Sequence, residues 1–226
     1  MPELGSFLLI GAVAAVVAFA TTPLVGLVAR RRGWVYLPND RTVHQTPLPD
    51  VGGLAMYLGF LAAMVAAWLL DAFDVLFESN SEPIGVVIAA TIIYVVGFLD
   101  DVRGLSPPAK VTGTVVAGLA LVQFGVVMYA FRLPFFDGPI LLAAEWRPLV
   151  TVLWLIGMTQ AINLIDGLDG LATGISFLAA YFLMLTAIGT GRDILLPFLL
   201  PLLGATLARH LLPHSTGPTG GSGVLR

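Results

Sequence analysis

Seven stretches of the chain are apolar enough to lie in lipid: residues 7–29, 51–70, 84–99, 111–131, 148–165, 171–189 and 194–208. A helix rises 1.5 Å per residue, so about 20 apolar residues cross a hydrocarbon core about 30 Å thick. The first run, FLLIGAVAAVVAFATTPLVGLVA, holds 23 positions without a charge. The third and the last are short, at 16 and 15 residues, and span only with help from flanking residues or local thinning of the bilayer. Pro197 and Pro201 interrupt the last run. Residues 133–147, LPFFDGPILLAAEWR, read as an external hairpin or a half-buried segment. From His210 onward the chain is rich in Gly, Pro and Ser and loses all period. The pattern predicts an all-α, polytopic transmembrane helix bundle of seven spans over residues 1–208, with an irregular tail over 209–226.

Composition agrees with this class. Of 226 residues, 58% are hydrophobic and 11% charged, against about 25% charged in a soluble domain. Cysteine is absent, which removes disulfides, thiolate metal sites and cysteine nucleophiles. The net charge of −3 gives no reason to expect a nucleic-acid partner.

The placement of charge says more than its sum. Arg30, Arg31 and Arg32 follow the first run, and only Glu3 precedes it. A signal peptide has its basic residues before the apolar core, so this run is read as an anchor helix with its N-terminus outside. Seven spans then put Arg30, Arg31, Arg32, Arg41, Arg103, Lys110, Arg209 and Arg226 inside, and Arg132, Arg147 and Arg192 outside. Eight against three follows the positive-inside rule. Polar loops 30–50, 100–110 and 163–170 all fall on the cytoplasmic side.

Candidate chemistry gathers in those three loops. In VVGFLDDVRGLSPPAK, residues 95–110, an apolar run ends in Asp100 and Asp101. Adjacent helical residues point about 100° apart, but at a helix end both can turn toward one ion. Two close carboxylates repel unless a cation holds them. Magnesium, which takes one or two carboxylates together with substrate phosphates, suits the pair; a solvated helix end suits it equally well. In NLIDGLDGLATG, residues 163–174, Asn163, Asp166 and Asp169 are spaced by three and align along one side of a helical turn. Gly167, Gly170 and Gly174 let backbone approach a ligand. In PNDRTVHQTPLPDVGG, residues 38–53, Arg41 and His44 stand ahead of the Gly52–Gly53 pair, a combination suited to phosphate.

Together the three segments resemble the polyprenyl-phosphate N-acetylhexosamine-1-phosphate transferases, relatives of the phospho-MurNAc-pentapeptide translocase. GFLDDVRGLSPPAK is similar to the Asp-Asp loop of that family, and NLIDGLDGLATG to its Asn-x-x-Asp-Gly-x-Asp-Gly signature. The Arg41-x-x-His44 loop leading into Gly52–Gly53 is similar to the N-acetylglucosamine branch, although Asp50 stands where members often carry a basic residue. The resemblance implies transfer of a sugar-1-phosphate, N-acetylglucosamine-1-phosphate before others, from a UDP-N-acetylhexosamine to polyprenyl phosphate, with UMP released. It implies Mg2+, with Mn2+ as a substitute, at Asp100 and Asp101. Lys110, Asn163, Asp166, Asp169, Arg41 and His44 would bind substrate. The enzyme would be a multi-pass plasma-membrane protein with its active site on the cytoplasmic side. Its oligomeric state is left open, a homodimer among the options.

The family also has a Met-Gly-Asp stretch, a His-rich loop and further helices beyond its seventh helix. Here LPHSTGPTGGSGVLR stands instead, and the expectation is a truncated or frame-shifted chain of little activity. Two other readings compete: a non-catalytic scaffold, and a cation-coupled transporter. Transporters place their carboxylates near the midplane, whereas the acidic residues here lie at or beyond the ends of the apolar runs.

Overall fold

The computed structural model describes residues 4–36, 48–49, 52–78, 81–133, 138–165, 171–192 and 195–211. It is mostly helical. The helices are α1 (Leu4–Arg32), α2 (Gly53–Trp68), α3 (Asp74–Glu78), α4 (Glu82–Arg103), α5 (Pro107–Gln123), α6 (Arg147–Ile165), α7 (Leu171–Gly189) and α8 (Leu196–Leu211). Two short antiparallel pairs accompany them. β1 (Val35–Tyr36) faces β2 (Leu48–Pro49), and β3 (Ala130–Phe131) faces β4 (Ile140–Leu141).

Among the described residues four helices, α1, α4, α6 and α7, are long and apolar enough to cross a membrane. A fifth is reached if α2 counts together with the piece Asp71–Glu78, which bends from it by 90°. The α5 and α8 helices, with 17 and 16 residues, fall short of the expected full spans.

Three boundaries differ from the sequence reading. The run 84–99 understates α4, a helix of 22 residues that continues through both aspartates to Arg103. The carboxylates are therefore part of its last turns and do not follow it. The run 111–131 overstates α5, which stops at Gln123. Gly125 adopts φ 89°, and the Val126 N–H bonds the Leu121 carbonyl at 2.9 Å, which reverses the chain. The apolar residues beyond enter β3. The third difference is the run 51–70, which breaks at Leu69. There the chain turns into a 3-10 turn, Asp71–Phe73, and then α3. Phe73 is buried edge-on against Phe7 with ring centroids 5.4 Å apart, so the bent piece closes one end of the bundle. Hydropathy gives no sign of this bend because Asp71, Asp74 and Glu78 dilute the apolar signal.

The core joins α1, α2 and α8 through small side chains, among them Ala14, Ala18, Ala63, Ala67 and Ala205. In lipid no hydrophobic drive pulls helices together, so close backbone contact must do it. Gly59 of α2 shows how close: a β-carbon there would stand 2.6 Å from the Ala14 carbonyl oxygen. Threonines in the helices satisfy their hydroxyls locally. Thr22 donates to the Ala18 carbonyl at 2.6 Å and Thr206 to Leu202 at 2.8 Å. Among the described residues no buried side-chain polar atom lacks a partner, as an apolar solvent demands.

The hairpin expected near 133–147 is present as β3 and β4. Arg147, at the start of α6, ties it down. Its Nε donates to the Leu142 carbonyl at 3.1 Å, and its guanidinium lies 4.9 Å from the Tyr129 ring centroid.

Candidate functional site

The Asp-Asp turn is a tight helical hairpin. α4 ends at Arg103, Gly104 takes φ 66°, and α5 begins at Pro107 with Ser106 as its N-cap. The two aspartates face different ways, as their adjacency requires. Asp100 looks toward α5: its Oδ2 is 2.6 Å from Lys110 Nζ, and its Oδ1 accepts the Leu105 N–H at 2.9 Å. Asp101 lies about 100° further round the helix. It is exposed, and it lies on the same side of α4 as Tyr94, two turns earlier.

All three charges stand at the unfavourable end of a helix. A carboxylate near a helix C-terminus, or an ammonium near an N-terminus, opposes the dipole by about 0.3–1 kcal/mol. The Asp100–Lys110 pair offsets this, although side chains 20% and 27% exposed leave such a pair only about 1 kcal/mol of net stabilisation.

The N-terminus of α5 cannot serve as an anion hole. Pro107 and Pro108 have no N–H, and the N–H groups of Ala109 and Lys110 both bond the Ser106 carbonyl, at 2.9 and 3.2 Å. Phosphate recognition at this end must come from side-chain charge or a bound cation.

The ends of α1, α2 and α4 meet at the same place. Val25, Ala29 and Ala55 are buried together, with Trp34, Leu54, Phe98 and Val102 packed on them. Trp34 meets Phe98 edge-on at 5.3 Å, and Arg32 lies 5.9 Å from the Trp34 ring centroid. Below them Tyr57 stacks on Tyr94 at 4.3 Å, its hydroxyl 2.7 Å from Thr91 Oγ1. The C-terminal ends of α1 and α4 thus lie at the same end of the bundle.

Asn163 is level with this end. α5 and α6 run antiparallel, and a β-carbon on Gly118 would lie 3.3 Å from Val152 Cα. Gly118 to Pro107 and Val152 to Asn163 are both steps of eleven residues, so Asn163 stands at the height of the start of α5. Its side chain is exposed. Arg41, His44, Asp166 and Asp169 lie outside the described residues. The structure therefore brings Asp100 and Lys110 into contact, with Asp101 next to Asp100 in the last turns of α4 and Asn163 at the level of the start of α5. The sequence reading missed two partners in this region. One is the Leu105 N–H, signalled by a glycine four residues after an aspartate. The other is Trp34, signalled by Gly33 directly after the arginine cluster.

Among the described residues no group of three or more His, Asp or Glu is gathered to hold a metal. The donors present still suit magnesium, a hard cation that takes one or two carboxylates and completes its shell with phosphate and water oxygens.

The profile described as glycosyl transferase family 4 matches residues 83–218, which include the Asp-Asp turn. The chain is 38% identical over 186 residues to the decaprenyl-phosphate N-acetylglucosaminephosphotransferase of Mycobacterium leprae, covering 82% of this chain and 47% of that protein. It is 34% identical over 186 residues to the probable undecaprenyl-phosphate N-acetylglucosaminyl 1-phosphate transferase of Bacillus subtilis, covering 82% and 49%. A more distant relative is the phospho-N-acetylmuramoyl-pentapeptide-transferase of Staphylococcus saprophyticus, at 29% over 170 residues, covering 64% and 50%. The chain spans about half the length of the curated relatives it matches. With the matched segment running from α4 past α8 and containing the Asp100–Asp101–Lys110 turn, the chain belongs to glycosyl transferase family 4.

Proposed function

We propose that the protein transfers N-acetylglucosamine-1-phosphate from its UDP-linked donor to polyprenyl phosphate at the cytoplasmic face of the plasma membrane. The observation that carries this reading is the grouping of Asp100, Asp101 and Lys110 at one end of α4, inside the segment shared with relatives whose names give this chemistry. The lipid comes from the bilayer and the nucleotide sugar from water, so a membrane interface is where both can meet.

A phosphate oxygen of the lipid attacks the sugar-linked phosphorus of the donor. A new P–O bond forms, the P–O bond to the uridylate breaks, and UMP leaves with that bond's electron pair. Phosphate is already anionic at neutral pH, so no base is needed. Asp100 and Asp101 would hold magnesium, or manganese in its place, which would supply charge neutralisation to the transferring group and the leaving group. Lys110 offers ammonium hydrogens to a phosphate oxygen. Asn163, Asp166, Asp169, Arg41 and His44 would bind the nucleotide sugar and its phosphates.

We also assign seven spans with the N-terminus outside. α5 and α8 would cross where the bilayer thins. Exposed Trp68, Tyr129 and Trp146 support an interface at the far end from the site.

The test is incubation of membranes bearing this chain with labelled UDP-N-acetylglucosamine and polyprenyl phosphate. Lipid-linked sugar diphosphate and UMP are expected, with activity lost in excess chelator and restored by Mg2+ or Mn2+. Release of UDP would reassign the reaction to ordinary glycosyl transfer, and full turnover in chelator would remove the metal.

A further inference from the structure

The buried contacts of the bundle fall into two groups. Phe7, Ile10, Ala63, Phe73, Ala187 and Leu196 form one cluster across α1, α2, the 3-10 turn, α7 and α8. α4, α5 and α6 close on one another through glycines: a β-carbon on Gly85 would meet Phe124, on Gly113 Val96 and on Gly118 Val152. The seam between the groups lies where α2 faces α4. α4 buries Pro83, Gly85 and Ala89, and from there to Arg103 no further residue. The part of α4 that leads to the Asp-Asp turn is therefore held by partly exposed side chains. On a helix Thr91, Tyr94 and Phe98 fall on one side, and Val96 and Asp100 on the opposite one. The second side meets α5, through Val96 at Gly113 and Asp100 at Lys110. The first side meets α1 and α2. Trp34 stands edge-on to Phe98 at 5.3 Å, and Tyr57 lies parallel to Tyr94, with 4.3 Å between centroids and 3° between planes. Thr91 Oγ1 donates to the Val87 carbonyl at 2.6 Å, so its oxygen accepts the Tyr57 hydroxyl at 2.7 Å.

We infer that Tyr57 is a positioning residue for phosphoryl transfer: it fixes the rotation of α4 about its axis, and so the placement of the Asp-Asp turn against the end of α1. This rests on the reading of the α4 end as the site of that transfer. Thr91 and Tyr94 are one turn apart on the same side of α4. One side chain of α2 therefore grips α4 at two successive points, by a ring stack and by a hydroxyl bond. The stack sets the separation of the helices, and the hydrogen bond adds direction. The consequence at the helix end is large. A helix is about 10–12 Å across with its side chains, so a rotation of about 20° carries a side-chain tip about 2 Å. A misplacement of about 1 Å can cost about a hundredfold in rate. Tyr57 acts through Tyr94 and Thr91, which stand two turns or more before the aspartates, and so it is not itself among the reacting groups.

The experiment uses the full chain in nanodiscs, where the absence of cysteine lets spin labels be placed singly. One labelled pair, Arg31→Cys with Ser106→Cys, crosses the seam. The other, Ser106→Cys with Leu164→Cys, stays within the α4–α6 group, and all three positions are exposed. Double electron–electron resonance reads both distances, and transfer kinetics are measured on the unlabelled variants. Tyr57→Leu is expected to shift or broaden the first distance and to leave the second unchanged. It should lower kcat at least about tenfold with KM for UDP-N-acetylglucosamine within about threefold. Tyr57→Phe keeps the stack, and should hold the first distance and keep kcat within about threefold of the parent. If Tyr57→Leu fails to fold, Tyr94→Leu removes the same stack from the α4 side and is read in the same way. If neither folds while Tyr57→Phe does, the stack holds the bundle as a whole and the positioning role is overturned. An unchanged first distance in folded Tyr57→Leu overturns it too, as does a change in both distances. A KM that rises with kcat unchanged would mark a direct substrate contact and has the same effect. If the unaltered chain makes no lipid-linked sugar, the reading of the site falls, and the distances still decide whether Tyr57 places α4.

Discussion

Gly104 carries the turn that presents both aspartates. Its φ of 66° lies in the left-handed region, and a β-carbon there would meet no atom within 4 Å. The cost of a side chain is thus conformational alone, about 1–2 kcal/mol for an L-residue held in that region. Gly104→Ala is expected to lower unfolding stability by about that amount, and Gly104→Asn by less, because asparagine tolerates the left-handed region. Gly97, inside the same helix and equally uncrowded, is the control. Gly97→Ala should stabilise by up to about 1 kcal/mol, since glycine is a poor residue for a helix interior. Denaturant titration of the purified chain in detergent measures all three. A Gly104→Ala protein as stable as the parent would show that the turn does not hold this conformation.

Between elements, the determining contact is that of α1 with α2 and α8. These helices meet through alanine and glycine, and their backbones approach too closely for larger residues. At Gly59 a β-carbon would stand 2.6 Å from the Ala14 carbonyl oxygen and 3.0 Å from Ala18 Cβ. Backbone cannot yield as a side-chain tip can, so the helices must separate. Gly59→Val is expected to destabilise the bundle by about 1–3 kcal/mol, the usual cost of overpacking. Gly26→Val, on α1 but with nothing within 4 Å, should leave the midpoint within error. The same titration compares them, and equal midpoints would show that α1 and α2 are not in contact at this level. The aromatic contacts at the site depend on this packing, because Trp34 and Tyr57 reach Phe98 and Tyr94 from α1 and α2.

At the scale of the whole molecule, the absence of cysteine makes sidedness directly testable. Ser106 and Arg132 are both exposed and lie at opposite ends of α5 and its continuation. The proposed topology expects Ser106→Cys to react with an impermeant maleimide only in inverted vesicles, and Arg132→Cys only in right-side-out ones. The reverse pattern would move the site to the outer face, away from cytosolic nucleotide sugars. Some of this architecture was legible from residue content. Transfer into lipid depends on which side chains a segment carries and how many, so run length alone located most of the helices. The Asp-Asp turn was likewise visible, because charge next to an apolar run is a local feature. Other features required distant partners. Hydropathy continued through 124–131, but the left-handed Gly125 and the pairing of β3 with β4 ended α5 early. Asp71–Glu78 turned across the bundle because Phe73 found Phe7. The sequence presents Asp100 and Asp101 as equals. Only the fold brings Lys110 and the Leu105 N–H to one of them, because hydrogen bonds and ion pairs are set by position in space, which the order of residues along the chain does not show.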